Sequence, residues 1–322
     1  MTWLKSSVKR ALVWGLLVLA RVLSSGLRYA EDTEPFFQTF SRHGFYLLPR
    51  HYYLPIPDSD DIRRVHGSEL VGLAMRDESQ RAFTNDVILK YKAEVASLPS
   101  RPSGRPDQFY LLNGGFMAGD AHAYYSLIRE LMPRTVIEIG SGNSTLLANS
   151  AITMNLAARP EYRCKLIAIE PFPPDYLAHL KNLHELKQCK LQDVSPDYFA
   201  QLKSGDILFI DSSHVLKSGG DVWLEYCEII PRLNSGVYVH VHDISLPKPY
   251  PSVYYDTHLY WNEQYVLQAL LTNNDKLEVV WAGTYLFDKY PEEMTAAFSP
   301  EFELMREAYP LAEPSSFWLR VK

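Results

Sequence analysis

A chain of 322 residues with 47% hydrophobic and 22% charged residues can bury a substantial core, and its length predicts one large domain with an appendage. A formal net charge of −6 gives no electrostatic basis for a polyanionic partner, so nucleic acid is not an expected substrate. The three cysteines, Cys164, Cys189 and Cys227, show neither CxxC pairing nor zinc-ligand spacing and read as buried thiols in a reducing compartment.

Residues 1–30 form a distinct segment. Lys5, Lys9, Arg10, Arg21 and Arg28 are unopposed by any acid and flank the apolar run ALVWGLLVLA, which is short for a bilayer span of about 20 residues. Arg10, Arg21 and Arg28 share nearly one bearing at helical spacing. The spacing predicts a helix on an anionic membrane surface, on a partner, or packed on the main domain. A secretory signal is the remaining reading, but Leu27 to Ala30 match a cleavage site poorly.

Residues 31–105 read as a helical and irregular extension, with a turn-rich HYYLPIPDSDD and one helix over about 78–96. LPSRPSGRPDQ, residues 98–108, concentrates proline, glycine and serine and is the expected boundary before a large domain at 106–322. Within that domain short apolar runs alternate with helical patterns. They are TVIEIG and a helix from Ser144, CKLIAIE and PDYLAHLKNL, HELKQCKLQDV and SPDYFAQL, then DILFID and a helix around 222–233. VYVHVHD, a helix over 262–272, LEVVWAG and a closing SSFWLRV follow. The alternation predicts a mostly parallel sheet with helices on both faces, and an antiparallel last strand.

Ligands of such sheets sit beyond the carboxyl ends of the strands, and those ends are polar here. The first run closes on Glu138, Gly140, Ser141 and Gly142, the second on Glu170, the third on Asp193, the fourth on Asp211, the fifth on His242 and Asp243. The two glycines permit a tight turn and close ligand approach, and the helix N-terminus at Asn143 and Ser144 offers free N–H groups. Thr145 stands where a nicotinamide-binding loop needs its third glycine, which disfavours a dehydrogenase. Glu170 suits two ribose hydroxyls and Asp193 an exocyclic adenine amine; as single residues, each acid also reads as a helix cap.

E-x-G-x-G, the acid ending the second strand, D-V after the third and DILFID as the fourth closely resemble class I S-adenosylmethionine-dependent methyltransferases. The stretches YYLPIPD, Asn113-x-x-Phe-x-x-x-Asp-Ala121, IDSSH and HVHDISLPKPYP are similar to a bacterial subfamily of the methyltransferase 24 group. The resemblance covers about 106–322. It implies a Rossmann-like seven-stranded sheet, S-adenosylmethionine as cofactor, and Glu138, Gly140, Ser141, Gly142, Ser144, Glu170, Asp193 and Asp211 around it. Related O-methyltransferases hold a divalent metal with an acid after the fourth strand and an acidic pair after the fifth. That pattern carries over to Asp211 and Asp243, and to His242 where a carboxylate is usual, with Mg or Mn as the ion and His214 as base.

A metal-free arrangement, in which Asp211 or Asp243 orients His214 or His242 as base, stays open, and His240 alone reads as a satisfied strand histidine. The aromatic loop 245–265 suits a sugar or polyketide-like acceptor, or is a stiff surface loop. The expected activity is O-methylation of a glycan, glycolipid or secondary metabolite, in the cytoplasm at the inner face of the membrane, where the methyl donor is made. A non-catalytic binding module is the alternative.

Overall fold

The computed structural model describes residues 2–27, 34–46, 48 and 51–322. The chain divides into two compact units, 1–62 and 63–322. The first carries helices Thr2–Leu27 and Glu34–Arg42, with Phe37 and Tyr46 stacked at 5.6 Å.

The second unit is built on a seven-stranded sheet: β1 Thr135–Ile139, β2 Lys165–Ile169, β3 Leu183–Lys187, β4 Ile207–Ile210, β5 Tyr238–Val241, β6 Leu277–Ala282 and β7 Phe317–Val321. Their order is β3-β2-β1-β4-β5-β7-β6. β1 and β4 are central and buried throughout, which explains why TVIEI and ILFI are nearly continuous apolar runs rather than alternating ones. β7 runs antiparallel between β5 and β6, pairing Val241 with Phe317 and Ala282 with Phe317. The rest of the sheet is parallel. Strand order reverses direction between β1 and β4, and the cleft at their carboxyl ends is the topological switch point of the sheet.

Several local expectations change. PDYLAHLKNL and SPDYFAQL form only the 3₁₀ turns Leu177–His179 and Pro196–Gln201. The first crossover begins Pro171-Phe172-Pro173-Pro174, which withholds the N–H groups a helix needs, and the second is closed by Pro196 at its first position. The helix after β4 starts at Asp221–Leu224 but widens into a π turn, Glu225–Ile229. Cys227 is exposed and Cys164 and Cys189 are only half-buried, against the expectation of buried thiols.

The expected boundary at 98–108 is not where the compact unit begins. The 78–96 segment, wound as Asp77–Phe83, a π turn Thr84–Ile88, a 3₁₀ turn and Lys92–Ala96, is part of the sheet's own core. Gln80 Oε1 accepts the Ala282 amide at 2.8 Å, Trp281 Nε1 donates to Thr84 Oγ1 at 3.1 Å, and Ile88 and Val95 are buried. Residues 99 and 100 continue the unit, accepting the amides of Leu111 and Leu112.

Candidate active site

The glycine pair at the end of β1 serves two different ends. Gly140 has φ +80°, and a Cβ there would lie 1.8 Å from the Asp211 carbonyl oxygen. The space it leaves is filled by the neighbouring strand exit, with Asp211 N donating to Ile139 O at 2.8 Å, rather than by a ligand. Gly142 is extended, and a Cβ there would meet nothing closer than the Tyr176 hydroxyl at 4.0 Å. Gly142 is therefore the open position.

Beneath this loop lies Glu138, fully buried. It accepts from the Tyr124 hydroxyl at 2.8 Å and from Thr145 Oγ1 at 2.5 Å, while Thr145 Oγ1 accepts the Gly142 amide at 3.0 Å. Burial pushes the Glu138 carboxyl up to about 7 against the opposing hydrogen bonds of Thr145 and Tyr124. It is absent from the cleft lining and acts by fixing the turn. Glu170 accepts the Ser141 amide at 3.2 Å and the Phe172 amide at 2.8 Å, holding the ends of β1 and β2 together beside the cleft.

The cleft, of about 300 Å³, is lined by Gly140 to Ser144, Glu170, Asp211, His242 and Asp243, with Gly115 and Phe116 opposite. Asn113 shapes that opposing wall, its Oδ1 accepting the Gly115 and Phe116 amides and its Nδ2 donating to the Tyr110 and Phe116 carbonyls. Ser141 Oγ is buried without a protein partner, a hydroxyl left for a ligand, and the Asn143–Ala158 helix presents its N-terminus to the same space.

Above this cleft, the exits of β4 and β5 bring two carboxylates and two imidazoles together. His214 Nε2 lies 3.3 Å from Asp211 Oδ1 and 3.5 Å from Asp243 Oδ2, and its Nδ1 is 2.8 Å from Glu263 Oε2. His242 Nδ1 lies 3.6 Å from a carboxylate oxygen of both Asp211 and Asp243, and its Nε2 faces Asp120 at 3.5 Å. Asp211, His214 and Asp243 each offer one donor atom within 4.8 Å of the others, whereas His242 Nδ1 is buried without a hydrogen-bond partner. His214 and Asp243 hold positive φ, 59° and 55°, a strained backbone for side chains that must point inward.

Charge balance follows from this packing. Burial opposes an imidazolium at His214, but hydrogen bonds to Asp211 and Glu263, with the charge of Asp243, raise it to about 10. His242 is likewise raised against burial, by Asp243 and Asp211. Asp211 and Asp243 are both lowered; burial works against this, and His242 is the largest of the charges that outweigh it. Glu263 is raised, chiefly by burial.

Residues 137–244 match the family model described as a methyltransferase domain. The chain is also similar to an uncharacterized protein of Archaeoglobus fulgidus, 29% identical over 172 residues, which spans 49% of this chain and 75% of that one. Among solved structures it is similar to CmcI with Mg and S-adenosylmethionine, at 18% identity over 62% of this chain and 69% of that chain, TM-score 0.32. It is similar as well to an O-methyltransferase from Bacillus cereus with S-adenosylhomocysteine, at 11% identity over 75% and 91%, TM-score 0.37.

Within the matched segment the residues expected at strand ends separate into groups. Gly140, Ser141, Gly142, Ser144, Glu170, Asp211, His242 and Asp243 line one cleft. Glu138 stands behind it. Asp193, expected near adenine, is exposed on the turn Leu191–Asp193 and is not part of the lining. His240 is buried on Phe209 with Nε2 2.8 Å from Ser316 Oγ, a packed strand histidine as expected, though its Nδ1 has no partner.

Four contributors carried no assigned role from sequence. Asp120, inside the Asn113 to Ala121 motif, accepts the Ser315 and Ser316 amides at 3.0 and 2.8 Å and faces His242. Glu263 opens a helix that reads simply as amphipathic. Trp261 packs on the His214 ring at 4.3 Å, and Tyr254 packs on Trp261 at 4.5 Å. The density of aromatics in 245–265 was the available signal for the last two.

Proposed function

We propose that the protein transfers a methyl group from S-adenosylmethionine to a hydroxyl oxygen of a sugar, glycolipid or secondary metabolite. The observation that carries this reading is the convergence of Asp211, His214, His242 and Asp243 on the cleft bounded by the Gly140 to Ser144 turn. Methyl transfer from a sulfonium breaks the sulfur–carbon bond as the acceptor oxygen takes the carbon in line. The protein's share is to position that oxygen and remove its proton.

Gly142 and the orphaned Ser141 hydroxyl suit the cofactor's amino-acid end, and Glu170 its ribose. Glu263, on the Nδ1 side of His214, leaves Nε2 as the nitrogen that faces the carboxylates and the acceptor. The donor set also fits a divalent cation, held by Asp211 and Asp243 with an imidazole nitrogen from His214 or His242. Such an ion, when bound, supplies positive charge that lowers the acceptor hydroxyl's pKa. Imidazole in the set favours Mn²⁺ over Mg²⁺, which prefers oxygen.

Beyond Asp243 a cavity of about 180 Å³ continues between Met117, Tyr254, Thr284, Met305 and Ser315. Apolar side chains and hydroxyls share its wall with the carboxylates of Asp120, Asp243 and Glu313, acceptors that suit a ligand rich in hydroxyl donors. The test is methylation of hydroxylated acceptors with and without chelator, the product mapped by mass spectrometry. Methyl on oxygen, lost in chelator and restored by Mn²⁺, is expected. Full activity in excess chelator removes the metal, and methyl on nitrogen overturns the hydroxyl assignment.

A further inference from the structure

Among its described side chains, residues 8–26, the 26-residue helix Thr2–Leu27 buries no apolar stripe. Val8, Leu12, Val13, Trp14, Leu16, Leu17, Val18, Leu19 and Val22 are all exposed, between 48% and 68%. Of residues 8–26 only Leu23 is even half-buried. A Cβ added at Gly15 or Gly26 would meet nothing within 4 Å. An apolar surface of this extent calls for a covering partner.

Charge selects among the candidates. The helix contains Lys5, Lys9, Arg10 and Arg21 and no acid anywhere along it, while the whole chain carries −6. The acidic excess lies entirely outside the helix, so an anionic surface attracts the helix and repels the rest of the chain. Two copies of the helix packed together would bring like charges into contact. No helix among the described residues is long and apolar enough to cross a membrane. Trp14 in the apolar run has the amphipathic ring that settles at headgroup level.

We infer that the Thr2–Leu27 helix lies on an anionic lipid surface, so that the methyltransferase domain works next to a bilayer. Apolar side chains enter the headgroup and acyl boundary while Lys9, Arg10 and Arg21 meet lipid phosphates.

The test uses the full-length chain and two kinds of vesicle, phosphatidylcholine alone and equal parts phosphatidylcholine and phosphatidylglycerol. Four cations at about fivefold each predict roughly several-hundredfold stronger co-sedimentation with the anionic vesicles, weakening as salt is raised. Trp14 emission should shift to the blue on binding, by difference against Trp14→Phe. Leu16→Asp with Leu19→Asp, both exposed in the free protein, should abolish the partition while S-adenosylhomocysteine affinity is unchanged. No binding at low salt overturns the inference. So does equal, salt-resistant binding to both vesicles, the behaviour of a membrane-spanning helix. Lipid-free self-association that the double variant dissolves overturns it in favour of a second copy.

Discussion

Gly140 and Gly142, two residues apart, should respond oppositely to substitution. Gly140→Ala puts a methyl on the Asp211 carbonyl at φ +80°, and both effects oppose folding. A loss of more than about 2 kcal/mol in urea unfolding is expected. Gly142→Val should unfold at nearly the wild-type midpoint but lose S-adenosylhomocysteine binding by calorimetry; retained affinity would mean the cofactor lies elsewhere. Titration at single residues also sets a pH window. His214, raised from 6.5 to about 10, stabilises the ion-free fold fully below pH 6.5 and ceases to do so as pH rises through 10. Glu138, raised from 4.5 to about 7, favours the fold below 4.5 and loses that contribution as pH passes 7. Asp211 and Asp243 are lowered, so theirs is present above 3.8 and lost in acid. In chelator, stability by denaturant titration should peak at about pH 4 and fall as pH rises toward 10. Glu138→Gln should flatten the early part of that fall.

At the scale of elements, the site depends on fixing the start of β7 beside the exit of β5. The helix Asp120–Leu131 does this through one side chain, since Asp120 accepts both the Ser315 and Ser316 amides. Asp120→Ala strands those amides and removes the carboxylate facing His242, at a cost of about 2 to 4 kcal/mol. Because Asp120 lies on the β5 side of the cleft, the variant should keep cofactor affinity while turnover falls. Equal loss of both would show that it acts through general unfolding. The helix Glu263–Leu271 has a comparable task, delivering Glu263 to His214 and to the Tyr226 hydroxyl at 3.0 Å. Glu263→Gln should lower turnover about 10-fold or more with an unchanged Michaelis constant for S-adenosylmethionine, since the imidazole loses its orienting carboxylate rather than the cofactor its wall.

For the whole molecule, the compact unit 63–322 holds its own core, including Ile88, Val95 and the buried faces of β1 and β4. Removing residues 1–62 should leave a cooperatively unfolding protein whose melting temperature rises with S-adenosylhomocysteine. Ligand at 100 times its dissociation constant contributes about 2.7 kcal/mol. A truncated chain that aggregates or fails to bind would show that the first unit completes the fold.

The amino-acid sequence alone determined the parallel sheet, the antiparallel last strand and most of the cleft, because these are written in short-range patterns. TVIEI and ILFI are nearly continuous apolar runs since both faces are covered, and Glu170, Asp211, His242 and Asp243 follow such runs directly. The turn at Gly140 to Ser144 is equally local. Tertiary structure decided what depends on neighbours distant in the chain. Gly140 is required by the Asp211 carbonyl, 71 residues on, which no reading of the β1 turn reveals. Asp120, inside a motif, and Glu263, at a helix start, reach the histidines by contacts that their own stretches of sequence do not reveal. Asp193 leaves the cleft because the turn after β3 exposes it, although its place in the chain equals that of the other acids. The segment 98–108 has a linker's composition, yet the helix before it is bonded to β6 through Gln80 and Ala282, 202 residues apart. Composition records how flexible a stretch is in isolation; hydrogen bonds and burial across the sheet decide which stretches fold as one body.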